Sequence, residues 1–215
     1  MAIKLTDLRK RVQNSFVSVR ILRENLSSTI TIVERDNGAT LNSIKILSAP
    51  IDNVWIFDNE DGEKIFLSSG KKVEQTVIYF NEEQRRLYIF MIELKSTLDE
   101  RKLIHCRDKF QDTLSHVSIY LLLNHHNESF EGVDIVPIGL IFYNQEIIST
   151  QSIQNLNESV LINNFKNYIQ NNDDNFLVIL ETIALGRQMI PISCFENQHS
   201  GNEIEVEFAK ILEKI

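Results

Sequence analysis

The chain is poor in cysteine, glycine and proline, and it has no long apolar run. Two cysteines, Cys106 and Cys194, in 215 residues exclude a disulfide framework and point to a reducing compartment. Seven glycines and three prolines supply few breakpoints, and no Pro-rich linker or internal repeat divides the chain. The longest apolar run, Leu87 to Ile92, is the size of a strand and far short of the roughly 20 residues a membrane span requires. No membrane partner is expected. The start, Met1-Ala2-Ile3-Lys4-Leu5, turns charged at once with Asp7, Arg9, Lys10 and Arg11, so no secretory leader is read and the expected location is cytoplasmic. Positive charge is also scarce. Lys and Arg number 22 against 30 Asp and Glu, a net charge of −8, which is the wrong overall sign for a routine nucleic-acid binder. A local basic patch, a divalent metal or a basic partner would be needed to bring a phosphate chain to one face.

What is present is an ordinary globular composition, 43% hydrophobic and 24% charged, enough for a sizeable core. The expectation is a single domain over residues 1–215. Leu5, Leu8, Val12, Phe16 and Val19 recur at helical spacing. Thr29 to Val33 alternates and is β-branched, as a strand is. Further strands are predicted at Ser43 to Leu47, Val54 to Phe57, Lys64 to Leu67, Val73 to Phe80 and Arg86 to Lys95, the last two joined as a hairpin by Asn81 to Arg85. From Asp99 the spacing turns helical, with Phe110, Leu114, Val117 and Leu121 on one face to about Leu123. A strand at Ile138 to Tyr143, a helix near Glu158 to Ile169 and strands at Phe176 to Ile183 and Met189 to Cys194 follow. The chain is predicted to end in a helix with Ile204, Phe208, Ile211 and Ile215 inward, capped by Ser200 and Glu203. The fold class is therefore α/β, a mixed central sheet flanked by helices.

Leu87-Tyr88-Ile89-Phe90-Met91-Ile92 is apolar on both alternating faces, as in a central strand covered above and below. Glu93 and Lys95 follow immediately, and a period of two sets them on the same face with Leu94 on the other. A carboxylate and an ammonium thus emerge together where a buried strand ends, the usual location of ligand sites in open α/β sheets. The plain alternative is an ion pair at the sheet rim, worth under about 1 kcal/mol if exposed.

With Glu93-Leu94-Lys95 closing this strand, Glu74 at the start of the preceding one and Gln111 on the following helix, the sequence resembles the PD-(D/E)XK phosphodiesterase superfamily. The resemblance covers about residues 5–143 and leaves 144–215 as a C-terminal elaboration. It implies a restriction-endonuclease-like core and a metal-dependent nuclease acting on DNA, ahead of RNA, in restriction, mobile-element processing or CRISPR-linked defence. It further implies Mg²⁺ or Mn²⁺ held by Glu74, Glu93 and the backbone carbonyl of Leu94, with Lys95 positioning water and Gln111 supporting the site. A hard cation takes oxygen ligands, few of them from protein. Asp52 and Asp58 are alternative first acids, and for the first-helix Glu that such proteins often carry, only Glu24, at the end of that helix, could serve. A homodimer is expected, since two strands require two sites, and the acidic charge suggests gating by a regulatory protein or effector. The rival is a catalytically inactive interaction protein on the same scaffold.

Other residues carry less. His105, His116 and the His125-His126 pair show no zinc spacing with cysteine. Cys106 lacks a Cys-His signature and is read as a small buried residue, and Trp55 as core. Lys71-Lys72 and Arg85-Arg86 flank the hairpin and are the nearest basic candidates for phosphate contact.

Overall fold

The computed structural model describes residues 22–24, 27–34, 38–51, 53–57, 72–123, 133–146, 156–171, 173–182, 185–198 and 201–215. Its strands are β1 (Leu22–Glu24), β2 (Ile30–Val33), β3 (Ser43–Leu47), β4 (Val54–Phe57), β5 (Gln75–Asn81), β6 (Arg86–Leu98), β7 (Asp134–Glu146), β8 (Phe176–Thr182), β9 (Gly186–Glu196) and β10 (Glu203–Glu207). The helices are α1 (Glu100–Leu123), α2 (Leu156–Asn171) and α3 (Phe208–Glu213). The predicted helix at Leu5 to Val19 and strand at Lys64 to Leu67 lie outside the described residues.

Among the described residues, seven strands form one mixed sheet in the order β1-β4-β5-β6-β7-β9-β8, and β10-β3-β2 form a second. The chain meanders antiparallel through β4, β5 and β6. It then crosses by α1 to β7, which runs parallel to β6. A connection between parallel neighbours needs a dozen or more residues, and α1 supplies them. The C-terminal segment completes both sheets: β9 joins β7 in parallel and pairs with the edge strand β8, and β10 joins β3 in parallel.

The apolar character of β6 on both faces has a direct structural cause. Leu87, Ile89 and Met91 pack in one cluster with Phe110, Leu114, Leu161 and Phe165 of the helices. Tyr88, Phe90, Ile92 and Leu94 pack in the other, with Ile44 and Ile46 of β3, Ile204 and Val206 of β10, and Phe208 of α3. The large sheet is thus covered by α1 and α2 on one face and by the small sheet and α3 on the other. Each side chain of β6 buried in this way contributes roughly 1.5–3 kcal/mol.

Asp99 caps α1, its side chain accepting from the Lys102 backbone N–H at 2.9 Å. The helix packs closely because Gly139 on β7 offers no side chain beneath it. A Cβ there would stand 2.8 Å from Phe110 Cε2 and 3.0 Å from Ile192 Cγ1. Cys106, Phe110, Leu114 and Val117 form the stripe of α1 that faces the sheet, all buried.

Two predicted elements are corrected. Residues 203–207 are a strand, and the last helix begins only at Phe208. Ile204 and Val206 are buried between exposed Glu205 and Glu207, the period of a strand. Glu24 ends the short strand β1, opposite Trp55 of β4, and does not end a helix.

Candidate active site

The β5–β6 ladder runs from Asn81–Arg86 to Gln75–Ile92 and stops there. Continued by one position, this register would set Glu74 opposite Glu93. Glu93 has the helix-facing parity of Leu87, Ile89 and Met91, so it points beneath α1. Like charges directly opposite are destabilising, and the fold answers with a lysine from the helix. Lys109 Nζ lies 3.1 Å from Glu74 Oε1 and 2.6 Å from Glu93 Oε1. Lys95, two residues along the same face of β6, donates to the same Glu93 oxygen. Two strands and one helix therefore bring two carboxylates and two ammoniums into one cluster.

The cluster is buried. Glu93 is 0% exposed and Glu74 8%, and the Lys109 and Lys95 side chains are 14% and 15% exposed. This corrects the picture of a solvated rim pair. Burial pushes the Glu93 carboxyl above the usual carboxylate range, against the pull of Lys95 and Lys109. For Lys109 burial acts to lower the ammonium, but the charges of Glu93 and Glu74 outweigh it and hold it above its ordinary value. The difference follows from access to water, since Lys109 keeps some and Glu93 keeps none.

A buried hydrogen bond places Glu74. The backbone N–H of Val73 donates to Thr113 Oγ1 at 3.1 Å, one helical turn beyond Lys109. The same stripe of α1 that carries the ammonium thus fixes the chain beside its carboxylate. Cys106, a turn before Lys109, is fully buried, and burial followed by the Glu93 charge pushes its thiol far up, leaving it inert.

One atom bears on whether a metal suits these residues. Among the described residues the buried Glu93 Oε2 meets no hydrogen-bond partner, whereas buried carboxylate oxygens are ordinarily satisfied. A hard cation bonds oxygens of this kind; Glu74 shares with Glu93 the Lys109 ammonium, which contacts the other Glu93 oxygen, Oε1, and these two carboxylates are the residues that would hold such an ion.

Of the residues singled out in the sequence, the structure brings together Glu74, Glu93 and Lys95. Glu74 lies one residue before β5, where the sequence pattern placed it inside the strand. The Leu94 side chain is in the core against the small sheet, beyond the last β5 partner of β6. Gln111 is turned elsewhere: its Oε1 accepts from the Glu181 N–H of β8 at 3.5 Å, a long contact. Asp52, Asp58, Lys71, His125 and His126 lie outside the described residues. Arg85 and Arg86 stand at the turn end of the hairpin. Glu93 lies seven positions along β6 from Arg86, about 23 Å of strand, so the two arginines do not flank the site.

Lys109 and Thr113 were missed. Their signal in the sequence is positional: a lysine and a threonine three and seven residues after Cys106, on or beside the apolar stripe of α1. Comparison with protein-family models, with curated proteins and with solved structures returned no match.

Proposed function

We propose that the chain is a metal-dependent nuclease that hydrolyses phosphodiester bonds of DNA or RNA. The observation that carries this reading is the convergence of Glu74 and Glu93 on one point at the mouth of the β5–β6 ladder, with Lys95 on the same carboxylate. A meander of three antiparallel strands, a helix and a parallel strand around that point is the order the superfamily resemblance implies, and it supports the reading.

Glu74 and Glu93 would hold the cation, with the Leu94 carbonyl beside them. Once bound, Mg²⁺ or Mn²⁺ would supply Lewis-acid stabilisation of the phosphate and acidification of water. The remaining work belongs to the protein. Lys95 keeps part of its surface in water while its ammonium is anchored on Glu93, so it is oriented in advance to donate to a phosphate oxygen as charge develops there. Burial of Glu93 excludes water from the inner side of the cluster and strengthens each charge–charge contact. Cleavage of a duplex would take two such sites, so a homodimer is expected. A net charge of −8 makes affinity for nucleic acid depend on the metal, or on a basic partner or effector. Two buried cysteines, Cys106 and Cys194, suit a cytoplasmic setting.

A second reading has its own observation. Lys95 and Lys109 already balance the two carboxylates, so the cluster is self-consistent as a buried ionic clamp in an inactive interaction protein. Incubation with supercoiled, linear and single-stranded substrates in Mg²⁺ or Mn²⁺ separates the two. The nuclease reading predicts cleavage that is lost in Glu93→Ala and Lys95→Ala. Cleavage surviving both substitutions, or absent with every substrate and metal, rejects it.

A further inference from the structure

We propose that Lys109 is the resident cation of the Glu74–Glu93 pair and that a divalent metal enters this site by displacing its ammonium. The inference rests on the reading that the two carboxylates are metal ligands, and it adds how access to them is controlled.

Lys109 Nζ bridges the carboxylates at 3.1 and 2.6 Å, so it occupies the space between them that a shared cation needs. Charge makes the two occupants exclusive. With Lys95 and Lys109 in place the four groups sum to zero. Adding a dication to that arrangement would leave two uncompensated positive charges in a site where Glu93 is 0% exposed, which a low-dielectric surrounding strongly disfavours. Withdrawal of Lys109 halves that excess.

The geometry permits the exchange. Lys109 comes from α1 while its partners come from the β5–β6 hairpin, so its removal breaks no backbone pairing. Its ammonium rides on a flexible four-carbon stem, and 14% of the side chain reaches solvent, a route by which it can swing out. Glu93 Oε2, buried and without a hydrogen-bond partner among the described residues, is what the exchange gains. The lysine satisfies one oxygen of that carboxylate and leaves the other unmet, while a cation can bond either or both.

The test measures Mn²⁺ binding directly, by electron paramagnetic resonance of the free ion, on the full chain and on Lys109→Met. Displacement predicts at least tenfold tighter binding in the variant, and loss of that binding in Lys109→Met with Glu93→Gln. Equal affinity in the two proteins overturns the role of Lys109 while leaving metal binding itself standing, and binding that survives Glu93→Gln overturns the metal reading as well, because the ion is then not held by this carboxylate. Absence of binding in both proteins overturns the displacement and the metal reading together. Circular dichroism checks that Lys109→Met is folded, and Lys109→Gln replaces it if it is not. A measurement on the unaltered chain needs neither variant. The protected ammonium resonance of Lys109, seen by lysine-selective NMR, should disappear as Mg²⁺ is added. Its persistence with Mg²⁺ bound refutes the displacement.

Discussion

Removing the Lys109 charge alone should cost more than removing it together with that of Glu93. Lys109→Met leaves Glu74 and Glu93 facing each other at the end of the ladder, with Lys95 held by Glu93 alone. Breaking a buried pair by deleting one partner typically costs about 3–5 kcal/mol, because the other charge stays buried and uncompensated. For a chain of 215 residues, each kcal/mol lowers the melting temperature by about 2–4 °C, so a fall of roughly 6–20 °C is expected. Glu93→Gln alone should cost much less. Burial already pushes the Glu93 carboxyl upward, meaning that the folded state prefers its neutral form relative to the unfolded chain, and Lys109 retains Glu74. In the double variant the excess negative charge of Lys109→Met is removed, so the double variant should be more stable than Lys109→Met. The coupling between the sites, read from urea unfolding of all four proteins in metal-free buffer, should reach about 2 kcal/mol, well above the 0.3–0.5 kcal/mol scatter of independent sites. A Lys109→Met protein within 1 kcal/mol of the parent, or additive substitutions, would refute the claim that these charges are buried and mutually dependent.

Three further outcomes follow from the same framework. Gly139→Ala places a methyl group 2.8 Å from the Phe110 ring, so that ring or α1 with it must shift; a loss of about 1–3 kcal/mol is expected by thermal unfolding, and an unchanged melting temperature would contradict the close approach. Thr113→Val removes the acceptor of the Val73 N–H at nearly constant volume and should cost about 1–3 kcal/mol, with faster hydrogen exchange at Val73 as the local signature. His116 packs edge-on against Phe57, and burial, with help from Lys72, pushes it down from 6.5 to about 4. The folded state then binds fewer protons than the unfolded chain between these values. The His116 contribution is therefore complete above about pH 6.5 and lost as pH falls toward 4, and the corresponding slope should vanish in His116→Gln.

The parts of the fold legible in the sequence were those fixed by local periodicity. The run from Leu87 to Ile92 carries apolar residues on both faces, and both faces are covered. Phe110, Leu114 and Val117 recur at helical spacing and do face the sheet. The C-terminal element failed because Ile204, Phe208 and Ile211 fit a helical period while Ile204 and Val206 fit a strand. The arbiter is β3, whose Ser43 meets Glu203 across 160 residues of sequence. Within the candidate site, period two sufficed to put Glu93 and Lys95 on one face, and the hairpin brought Glu74 near. Lys109 belongs to a different element, and the packing of α1 on the sheet, which its own spacing does not reveal, brings it to the carboxylates. The basic pair Arg85-Arg86 was misplaced for a related reason: adjacency to a hairpin in sequence does not say which end of it holds the site.

The most direct test of the central claim is a crystal of the protein soaked in millimolar Mn²⁺ and measured at an anomalous wavelength. The account predicts an anomalous peak about 2.1 Å from carboxylate oxygens of both Glu74 and Glu93, with the Lys109 ammonium withdrawn and Lys95 still on Glu93. A map with no peak at this position and Lys109 still bridging the two carboxylates would contradict it.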